Sequence, residues 1–493
     1  MGGVRTAEPS AYPPLPIDDT FIVYEVYVIN IGFLGGLVFV LVFAGMILVH
    51  ELGHFIAARL LRIEVEEFGI GFPPRLLRLW RGKGTILIGK ERLILPLNFD
   101  LPFDHKTAIH RQVDATADSV KGRLVLRTIT FAATEDGQYR PDPLPEHDPA
   151  SARLAAAPVK HLKDFPQPGK VHVSGILNEV RPGTEVTLNW IPLGGFNRIK
   201  GENDPSVPGG MAAASPWKRI AVLLAGPTMN LLTAVLAYTF LFYQIGVPIT
   251  HIVVIAEISP GSPAETAGIQ TGDTVLAAAG ESISSVSRLQ AIIRAHLDQP
   301  VSLSLQRGDQ QVEISVTPSS SRTKRQGAMG VLLGNPLHPT SSWFETISPS
   351  FDATYGSIRE LLALPGQIIA GAIQPQEAQL AGPRSIWNLF QQTVSRDVQS
   401  RETPSTSETQ QPTNYTLLAV ISLTISLGVL NLLPIPALDG GRILFTLPEI
   451  VIRRRTPPKF EAVVHGVGLM VLMAMLGYFY ILDFIHPVTI NLP

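Results

Sequence analysis

The sequence predicts an α-helical polytopic membrane protein with about four transmembrane helices and folded segments between them. Charged residues make up only 16% of the 493 residues, against about 25% in an ordinary soluble protein. The mean hydropathy is positive, at +0.23. Spanning a bilayer takes about 20 mostly apolar residues, and four segments meet this requirement: 26–49, 220–243, 415–433 and 462–481.

Composition also limits the chemistry of the chain. The net charge is −2, so there is no overall basic surface, and we expect no nucleic-acid partner. The chain has no cysteine, so a metal would have to be held by histidine, aspartate or glutamate. The first 20 residues lack the basic start and short apolar core of a cleaved signal peptide. We therefore expect the first span to be an uncleaved anchor.

Basic residues near the ends of the spans indicate the orientation. They cluster after the first span, before the second, and between the third and fourth: Arg59, Arg62, Arg75, Arg78, Arg81, Lys83, Lys218, Arg219, Arg442, Arg453, Arg454, Arg455 and Lys459. The two loops that carry them should face the cytoplasm. We expect a multi-pass protein of the inner, or cytoplasmic, membrane, with both termini and the segment 246–414 external.

The spans divide the chain into ten predicted segments. In order they are an external N-terminal tail (1–25), the first span with its polar end (26–62), a cytoplasmic loop (63–215) with an insertion at about 100–182, the second span (216–245), an external domain (246–335), an external amphipathic segment and flexible linker (336–414), the third span (415–433), a cytoplasmic segment and helix (434–460), the fourth span (461–484) and an external C-terminal tail (485–493).

The loops contain further patterns. Two stretches of the cytoplasmic loop, 85–99 and 184–198, are predicted strands flanked by glycine; the second alternates apolar and polar side chains, as a half-buried strand does. Between them, 100–182 is polar and proline-bearing, and we interpret it as a β-rich appendage of unknown role. In the external segment, 261–318 combines glycine turns, a helix-period run and two alternating strands. The composition of 396–413, rich in Ser, Thr, Glu, Gln and Pro, predicts a flexible linker.

The motif His50-Glu51-Leu52-Gly53-His54 carries the clearest chemistry. On a helix its two histidines lie one turn apart on the same face, so both imidazoles can reach one metal ion. Glu51 beside them can accept a proton from a water molecule that zinc activates. Chance matches occur on the solvated faces of soluble helices. Here the motif directly follows an apolar run, where an idle His-Glu-His cluster would be costly to bury, so it predicts a metal site.

A third ligand is needed, because two histidines leave a zinc ion short of protein donors. Asp439 is a candidate: it follows the third span and precedes Gly440 and Gly441, which allow close backbone approach. Alternatively, Asp439 is the N-cap of a helix that begins at Gly440. Capping and ligation do not exclude each other, and both remain open at this point.

Several motifs occur together in this chain: HELGH at 50–54, FGIGFPPRL at 68–76, IPLGG at 191–195, AGPTMN at 225–230, LAGP at 380–383 and NLLPIPALDGG at 431–441. Together they resemble the site-2 protease family, in its bacterial branch with an external PDZ domain. The resemblance covers most of the chain. Two features depart from the family pattern: the insertion at about 100–182, and Arg384-Ser385, where a Val-Gly pair is commoner.

The resemblance implies a site and a fold. The cofactor would be zinc (Zn²⁺), held by His50, His54 and Asp439, with Glu51 as general base. The glycine-rich strands, with Gly194 and Gly195, would form a membrane-associated β-hairpin or sheet whose edge pairs with the substrate. Asn431 would help to hold the substrate extended. Asn230, alone in an apolar span, could act in the same way or could be a helix-packing amide.

The external segment 261–318 resembles a PDZ domain of bacterial envelope proteases, and a generic small α/β module is the alternative. PDZ domains bind extended peptide ends by strand addition. The full expected fold is therefore four transmembrane helices, a membrane-associated sheet and an external PDZ-like α/β domain. Outside the membrane such a domain could filter substrates by size or dock them.

The expected function is regulated intramembrane proteolysis by a zinc metalloendopeptidase. Its partners would be membrane lipid and a single-span membrane substrate, of the anti-sigma factor or remnant signal peptide type. One alternative is a catalytically idle membrane scaffold with structural zinc and a PDZ domain, which an intact Glu51 disfavours. Another is a membrane-anchored enzyme that cuts soluble polypeptides, which the position of Asp439 at a span end disfavours.

Overall fold

The structure, a computed structural model, describes residues 19–103, 108–131, 170–321, 327–370, 382–402 and 414–485, with only the backbone described for 19–32. Predictions for the first 18 residues, the middle of the insertion, the start of the LAGP motif, most of the linker and the C-terminal tail therefore lie outside the described residues. The chain divides into two units. The first unit comprises Val40–Asn230 and Leu430–Leu476, and the second comprises Met1–Phe39, Leu231–Val429 and Gly477–Pro493.

Four described helices are long and apolar enough to cross a membrane, as predicted. They are α1 (Asp19–Leu60), α2 (Pro216–Ile245), α7 (Tyr415–Leu432) and α9 (Pro458–Ile485). The apolar stretch predicted at 26–49 lies within α1. The helix continues through the HELGH motif to Leu60, because nothing in that motif interrupts the backbone hydrogen bonds.

A folded-back sheet in the first unit is built from β1 (Val65–Arg81) and β7 (Glu185–Ile199). Ile70 pairs with both Gly195 and Leu188, so the first half of β1 lies between the two halves of β7. The second half of β1 pairs antiparallel with the first half of β7, from Arg75 opposite Asn189 to Arg81 opposite Glu185. The predicted strand at 184–198 and the glycine-rich 68–76 segment therefore meet in one sheet. Large apolar side chains are exposed around its bends: Phe72, Leu76, Leu77, Trp190, Ile191 and Leu193.

A closed five-stranded barrel interrupts the sheet between β1 and β7. Its strands, in the order β2-β3-β5-β4-β6, are β2 (Gly84–Ile88), β3 (Glu91–Leu95), β5 (Arg123–Phe131), β4 (Gln112–Val120) and β6 (Lys170–Arg181). The stretch 85–99 is thus a hairpin of this barrel and not one strand. The described part of the insertion is β-rich, as predicted, but it needs β2 and β3 to enclose a core that includes Ile86, Leu93, Leu126 and Leu177.

The second unit contains a small α/β module. Its main sheet has the order β13-β12-β10-β9-β14, with β11 paired to β10. The elements in chain order are β8 (Val247–Pro248), β9 (Val253–Ile258), α3 (Pro263–Thr266), β10 (Thr274–Ala278), β11 (Glu281–Ser282), α4 (Val286–Ala295), β12 (Val301–Arg307), β13 (Gln310–Val316), β14 (Val331–Gly334) and β15 (Leu337–His338). The helix-period run predicted at 289–297 is α4, which buries Leu289, Ile292 and Ile293 in the module core.

Two helices follow the module, α5 (Trp343–Ile369) and α6 (Pro383–Glu402). The expectation of a flexible linker from residue 396 is wrong for 396–402, which form the end of α6. Asp397 in this stretch accepts hydrogen bonds from the backbone N–H groups of Tyr415 and Thr416, at 2.9 and 3.0 Å, and so caps the start of α7.

Asp483 near the end of α9 caps α6 in turn. It accepts bonds from the backbone N–H groups of Arg384 and Ser385, at 2.9 and 3.1 Å, and from the Ser385 hydroxyl. This contact gives Ser385 a role at the position that departs from the Val-Gly pair expected from the resemblance. The Ser385 hydroxyl satisfies a carboxylate that is only 3% exposed.

Candidate metal centre

The two histidines of the HELGH motif lie on one face of α1. Their Nε2 atoms are 3.1 Å apart, and both side chains are buried. This arrangement follows from the helix itself, since residues i and i+4 are neighbours on its surface. Both imidazoles can therefore bind the same metal ion.

Asp439 reaches the same point from a distant part of the chain, at the start of helix α8 (Asp439–Val451). Its Oδ2 lies 3.2 Å from His50 Nε2 and 3.4 Å from His54 Nε2. Ligand atoms bound tetrahedrally to zinc at about 2.0–2.1 Å are separated by roughly 3.3 Å. The three donor atoms are already spaced like corners of such a tetrahedron, so the residues present fit a zinc ion.

The alternative role of Asp439 as an N-cap is wrong. Leu438 is the N-cap, and it makes no side-chain capping bond. Asp439 is the first helical residue, and its carboxylate faces the histidines instead. Gly440 and Gly441 explain how α8 can begin there: a Cβ on them would lie 2.2 Å from the Leu433 carbonyl oxygen and 2.3 Å from that of Ile435.

The Asp439 carboxyl lies at the start of α8, outside the four membrane-length helices. Burial alone would raise the pKa of this carboxyl, but without a metal the protonated imidazoles of His50 and His54 donate hydrogen bonds to it, which outweigh burial and lower its pKa to about 2. The group is therefore ionised at neutral pH and offers a negatively charged oxygen to a cation.

Helix α2 orients His54. Nδ1 of His54 donates to the Val222 carbonyl oxygen at 2.8 Å, which leaves the lone pair on Nε2 for a metal. Gly226, in the AGPTMN motif, makes room for the ring, because a Cβ at this position would lie 2.3 Å from His54 Nε2. The motif thus has a packing role that its sequence did not reveal.

Asn230 contacts His50 and is fully buried. Its side-chain amide lies 3.3 Å from His50 Nδ1, and Oδ1 has no hydrogen-bond partner among the described residues. Turning the amide over would let Oδ1 accept from Nδ1–H, which leaves Nε2 free to bind a metal. In this structure Asn230 is placed to orient a histidine, and its expected role in substrate binding stays a prediction.

Glu51 is half-buried beside the two histidines. Asn197 of β7 donates its amide N–H groups to Glu51 Oε2, at 3.0 Å, and to the Glu51 main-chain carbonyl. Sequence reasoning missed Asn197, because a single asparagine in an alternating strand is indistinguishable from a solvated position. Its contact follows only from the way the sheet packs on α1.

The other predicted substrate-binding residues are Asn431, which lies eight positions before Asp439 in sequence, and Gly194 and Gly195, which pack against α1. Asn431 is half-buried in the last turn of α7. Gly194 has φ of 94°, and a Cβ there would lie 2.6 Å from Ile47 Cγ2. A Cβ on Gly195 would lie 2.7 Å from the Gly69 carbonyl oxygen and 2.9 Å from Leu48 Cδ1. Both glycines therefore let β7 pack closely against its neighbours.

Comparison with known proteins identifies the family. The model of peptidase family M50 matches residues 38–87 and 170–475. The zinc metalloprotease RasP of Geobacillus kaustophilus is 27% identical over 444 residues, which cover 89% of this chain and 94% of that protein. RasP of Oceanobacillus iheyensis is 30% identical over 272 residues, covering 54% and 59%. A putative zinc metalloprotease of Clostridium perfringens is 28% identical over 306 residues, covering 62% and 85%.

The unmatched stretch, 88–169, lies mostly within the predicted insertion, although β6 at the end of that insertion is matched. More than half of the chain fits the family model, and relatives named as zinc metalloproteases extend over most of it. The chain therefore belongs to peptidase family M50, the site-2 proteases, and is a zinc metalloprotease.

Proposed function

We propose that this zinc metalloprotease hydrolyses peptide bonds of single-span membrane proteins within the bilayer. The observation that carries the proposal is the place of His50 and His54 within a helix that is long and apolar enough to cross a membrane. His50 lies in the apolar part of α1, which ends at Leu60. Ten residues of helix correspond to about 15 Å, half of a hydrocarbon core that is about 30 Å thick. A peptide bond must enter the membrane to reach this point.

His50, His54 and Asp439 would hold the zinc ion in this proposal. When bound, zinc supplies Lewis-acid chemistry that makes a water molecule acidic enough to attack a carbonyl at neutral pH. Glu51 accepts the proton of that water and passes it to the leaving amine. Asn197 holds the Glu51 carboxylate in place, while the Val222 carbonyl and Asn230 fix the two imidazole rings.

Substrate unwinding is the second requirement, because a transmembrane helix hides its carbonyl groups in its own hydrogen bonds. An extended edge of the β1–β7 sheet can supply new partners by strand addition. Support comes from the contact between this sheet and the Glu51 segment, which Asn197 makes. Asn431 would hold a freed backbone group of the substrate, and Gly194 and Gly195 would shape the sheet beside α1.

The α/β module of the second unit is proposed to be PDZ-like and to bind extended peptide ends. Strand β14 lies at one end of the sheet order, where an added strand could pair with it. The basic residues of the inter-span loops support a topology with the module and both termini outside a cytoplasmic membrane. The module would dock or size-select substrates of the anti-sigma factor or remnant signal peptide type.

The test uses the purified full-length enzyme with matched substrates: one panel of single-span proteins and one of the same sequences without the span. We expect cleavage of the membrane panel only. Glu51→Gln should keep zinc but lower the rate by about 10²–10⁴-fold, whereas His50→Ala should lose both zinc and activity. Cleavage of the soluble panel alone would favour an enzyme acting outside the bilayer, and a fully active Glu51→Gln protein would contradict the proposed general base.

A further inference from the structure

The loop that delivers Asp439 is bent into an uncommon backbone conformation. Ala437, two residues before Asp439, has φ of 78°, in the left-handed region that favours glycine. A residue with a side chain stays there only when surrounding contacts hold it. The direction of the Asp439 side chain depends on this bend and therefore on the contacts that maintain the bend.

His465 of α9 makes a side-chain hydrogen bond with this bend. The backbone N–H of Ala437 donates to His465 Nδ1 at 2.9 Å. The imidazole also packs edge-on against the Phe445 ring of α8, with ring centroids 5.3 Å apart. One side chain thus contacts both Ala437, two residues before Asp439, and the helix that begins at Asp439.

Gly468 lies one turn further along α9, on the same face as His465. A Cβ at this position would lie 2.3 Å from Pro436 Cβ. The missing side chain therefore provides the space that Pro436 occupies. His465 and Gly468 together form a cradle for Pro436 and Ala437.

The chemistry of His465 supports a specific polar role. Because Nδ1 accepts a hydrogen bond, the ring is neutral and its proton is on Nε2. Nε2 is buried without a hydrogen-bond partner among the described residues, and the nearest carboxylate, Glu461, is 4.0 Å away. An apolar side chain would fill this site without that unsatisfied group. The bond to Ala437 is what a histidine offers here and an apolar residue does not.

We propose that His465 is a positioning residue for the metal centre: its bond to Ala437, with the space at Gly468, holds Asp439 at the distance needed to bind zinc. The inference rests on the proposed role of Asp439 as a zinc ligand. His465 itself touches neither the metal nor the substrate. Its loss should weaken metal binding through the loop.

The test compares zinc release in the purified full-length protein. His465→Leu removes the acceptor, and Gly468→Ala pushes on Pro436. His465→Asn keeps an acceptor oxygen at about the place of Nδ1. Met470→Ala, at a position that is 65% exposed on the same helix, is the matched control. The readouts are the rate of zinc transfer to a chelator and, after substitution with Co²⁺, the visible absorption spectrum, which reports the ligand geometry.

We expect zinc to be released about 10–100-fold faster in His465→Leu and Gly468→Ala, with an altered cobalt spectrum. His465→Asn and Met470→Ala should stay within a few-fold of the unmodified protein. If His465→Leu fails to insert into the membrane, Gly468→Ala together with the rescue in His465→Asn decides the outcome.

Asp439→Ala separates the two ways in which the idea can fail. If this variant releases zinc no faster than the unmodified protein, Asp439 is not a zinc ligand, and the proposed role of His465 is wrong as well. If Asp439→Ala loses zinc while His465→Leu and Gly468→Ala release it no faster than Met470→Ala, only the cradle is overturned.

Discussion

Asn197 and Glu51 connect two parts of the first unit at the scale of single residues. A strand of the sheet holds the carboxylate that is proposed to act as the base, through the bond between Asn197 Nδ2 and Glu51 Oε2. A substrate strand that pairs with this sheet would therefore bear on the position of the base. In the proposed mechanism, this residue pair links substrate binding on the sheet to proton transfer at Glu51.

Replacing Asn197 tests this connection. Asn197→Ala should lower kcat by about 10–100-fold, because a misplaced base is costly even when it remains chemically intact. KM and zinc content should change little. Asn178→Ala is a suitable control, since Asn178 also lies on a strand and donates to a main-chain carbonyl, that of Gly89, but in the barrel. Loss of zinc in Asn197→Ala would show that the residue supports the fold instead.

Gly226 is expected to be intolerant of even one added carbon. A Cβ would lie 2.3 Å from His54 Nε2, well inside contact distance, and His54 is also held by the Val222 carbonyl. Gly226→Ala should therefore displace the ring and reduce zinc content, measured by metal analysis of the purified protein. In Gly45→Ala, on α1, the new Cβ meets nothing within 4 Å. Full zinc content in both variants would show that the ring can shift without loss of the metal.

At the scale of elements, the α/β module contains an ion pair between the buried Asp273 carboxylate and the half-buried Arg307, which lie at the ends of two strands. Asp273, just before β10, accepts bonds from Arg307 Nε and Nη2, at 2.8 and 2.7 Å, and from the Gln270 N–H at 2.9 Å. Burial alone would raise the pKa of Asp273, but the hydrogen bond from Arg307 outweighs it, and the pKa lies below its ordinary value.

This lowered pKa predicts how the module responds to acid. The ion pair stabilises the module at pH values above the unfolded pKa of about 3.9, and this stability is lost as the pH falls from there through the lower folded pKa. The protection of the β10 and β12 amides against hydrogen exchange, relative to an unstructured chain at the same pH, should therefore fall in the full-length protein below about pH 4. Asp273→Asn should exchange faster already at pH 7 and respond less to acid. Asp309→Asn, in the exposed β12–β13 turn, should behave like the unmodified protein.

At the scale of the whole molecule, the barrel is inserted into the turn of a hairpin. Arg81 pairs with Glu185 at the end of the sheet, and the Gly82 N–H donates to the Thr184 carbonyl at 2.8 Å. The chain leaves the sheet and returns to it at adjacent points. The family match skips 88–169, so most of the barrel lies outside the family pattern.

Removal of the barrel is therefore predicted to leave the metal centre intact. Replacing 82–184 by Asn-Gly, which suits a two-residue hairpin turn, should give a protein that still inserts, binds zinc and cleaves single-span substrates. Zinc content and cleavage in detergent are the measurements. A variant with the same replacement and Glu51→Gln supplies the inactive reference. Loss of zinc in the shortened protein would mean that the barrel supports the donor cluster.

The sequence predicted those parts that depend on local spacing. His50 and His54 could be placed because one turn of helix sets their separation, and Asp439 because its motif stands next to a recognisable span. The barrel could not be predicted, since it contains a parallel pairing of β3 with β5 that no local pattern encodes. Asn197 and His465 could not be predicted for a similar reason, because their roles come from contacts with residues distant in sequence. Asn197 contacts Glu51, and His465 contacts Ala437.

The adjacent entry and exit of the barrel also bear on the order of folding. Arg81 and Glu185 are about one hundred positions apart in sequence, and closing so long a loop delays the contacts that depend on it. Once the barrel has formed, its two ends lie as close in space as the ends of a tight turn, so Arg81 and Glu185 can pair without closing a long flexible loop. A destabilising change in the barrel core, such as Leu177→Ala, should therefore slow the appearance of active enzyme after synthesis more than it lowers the activity of the mature protein.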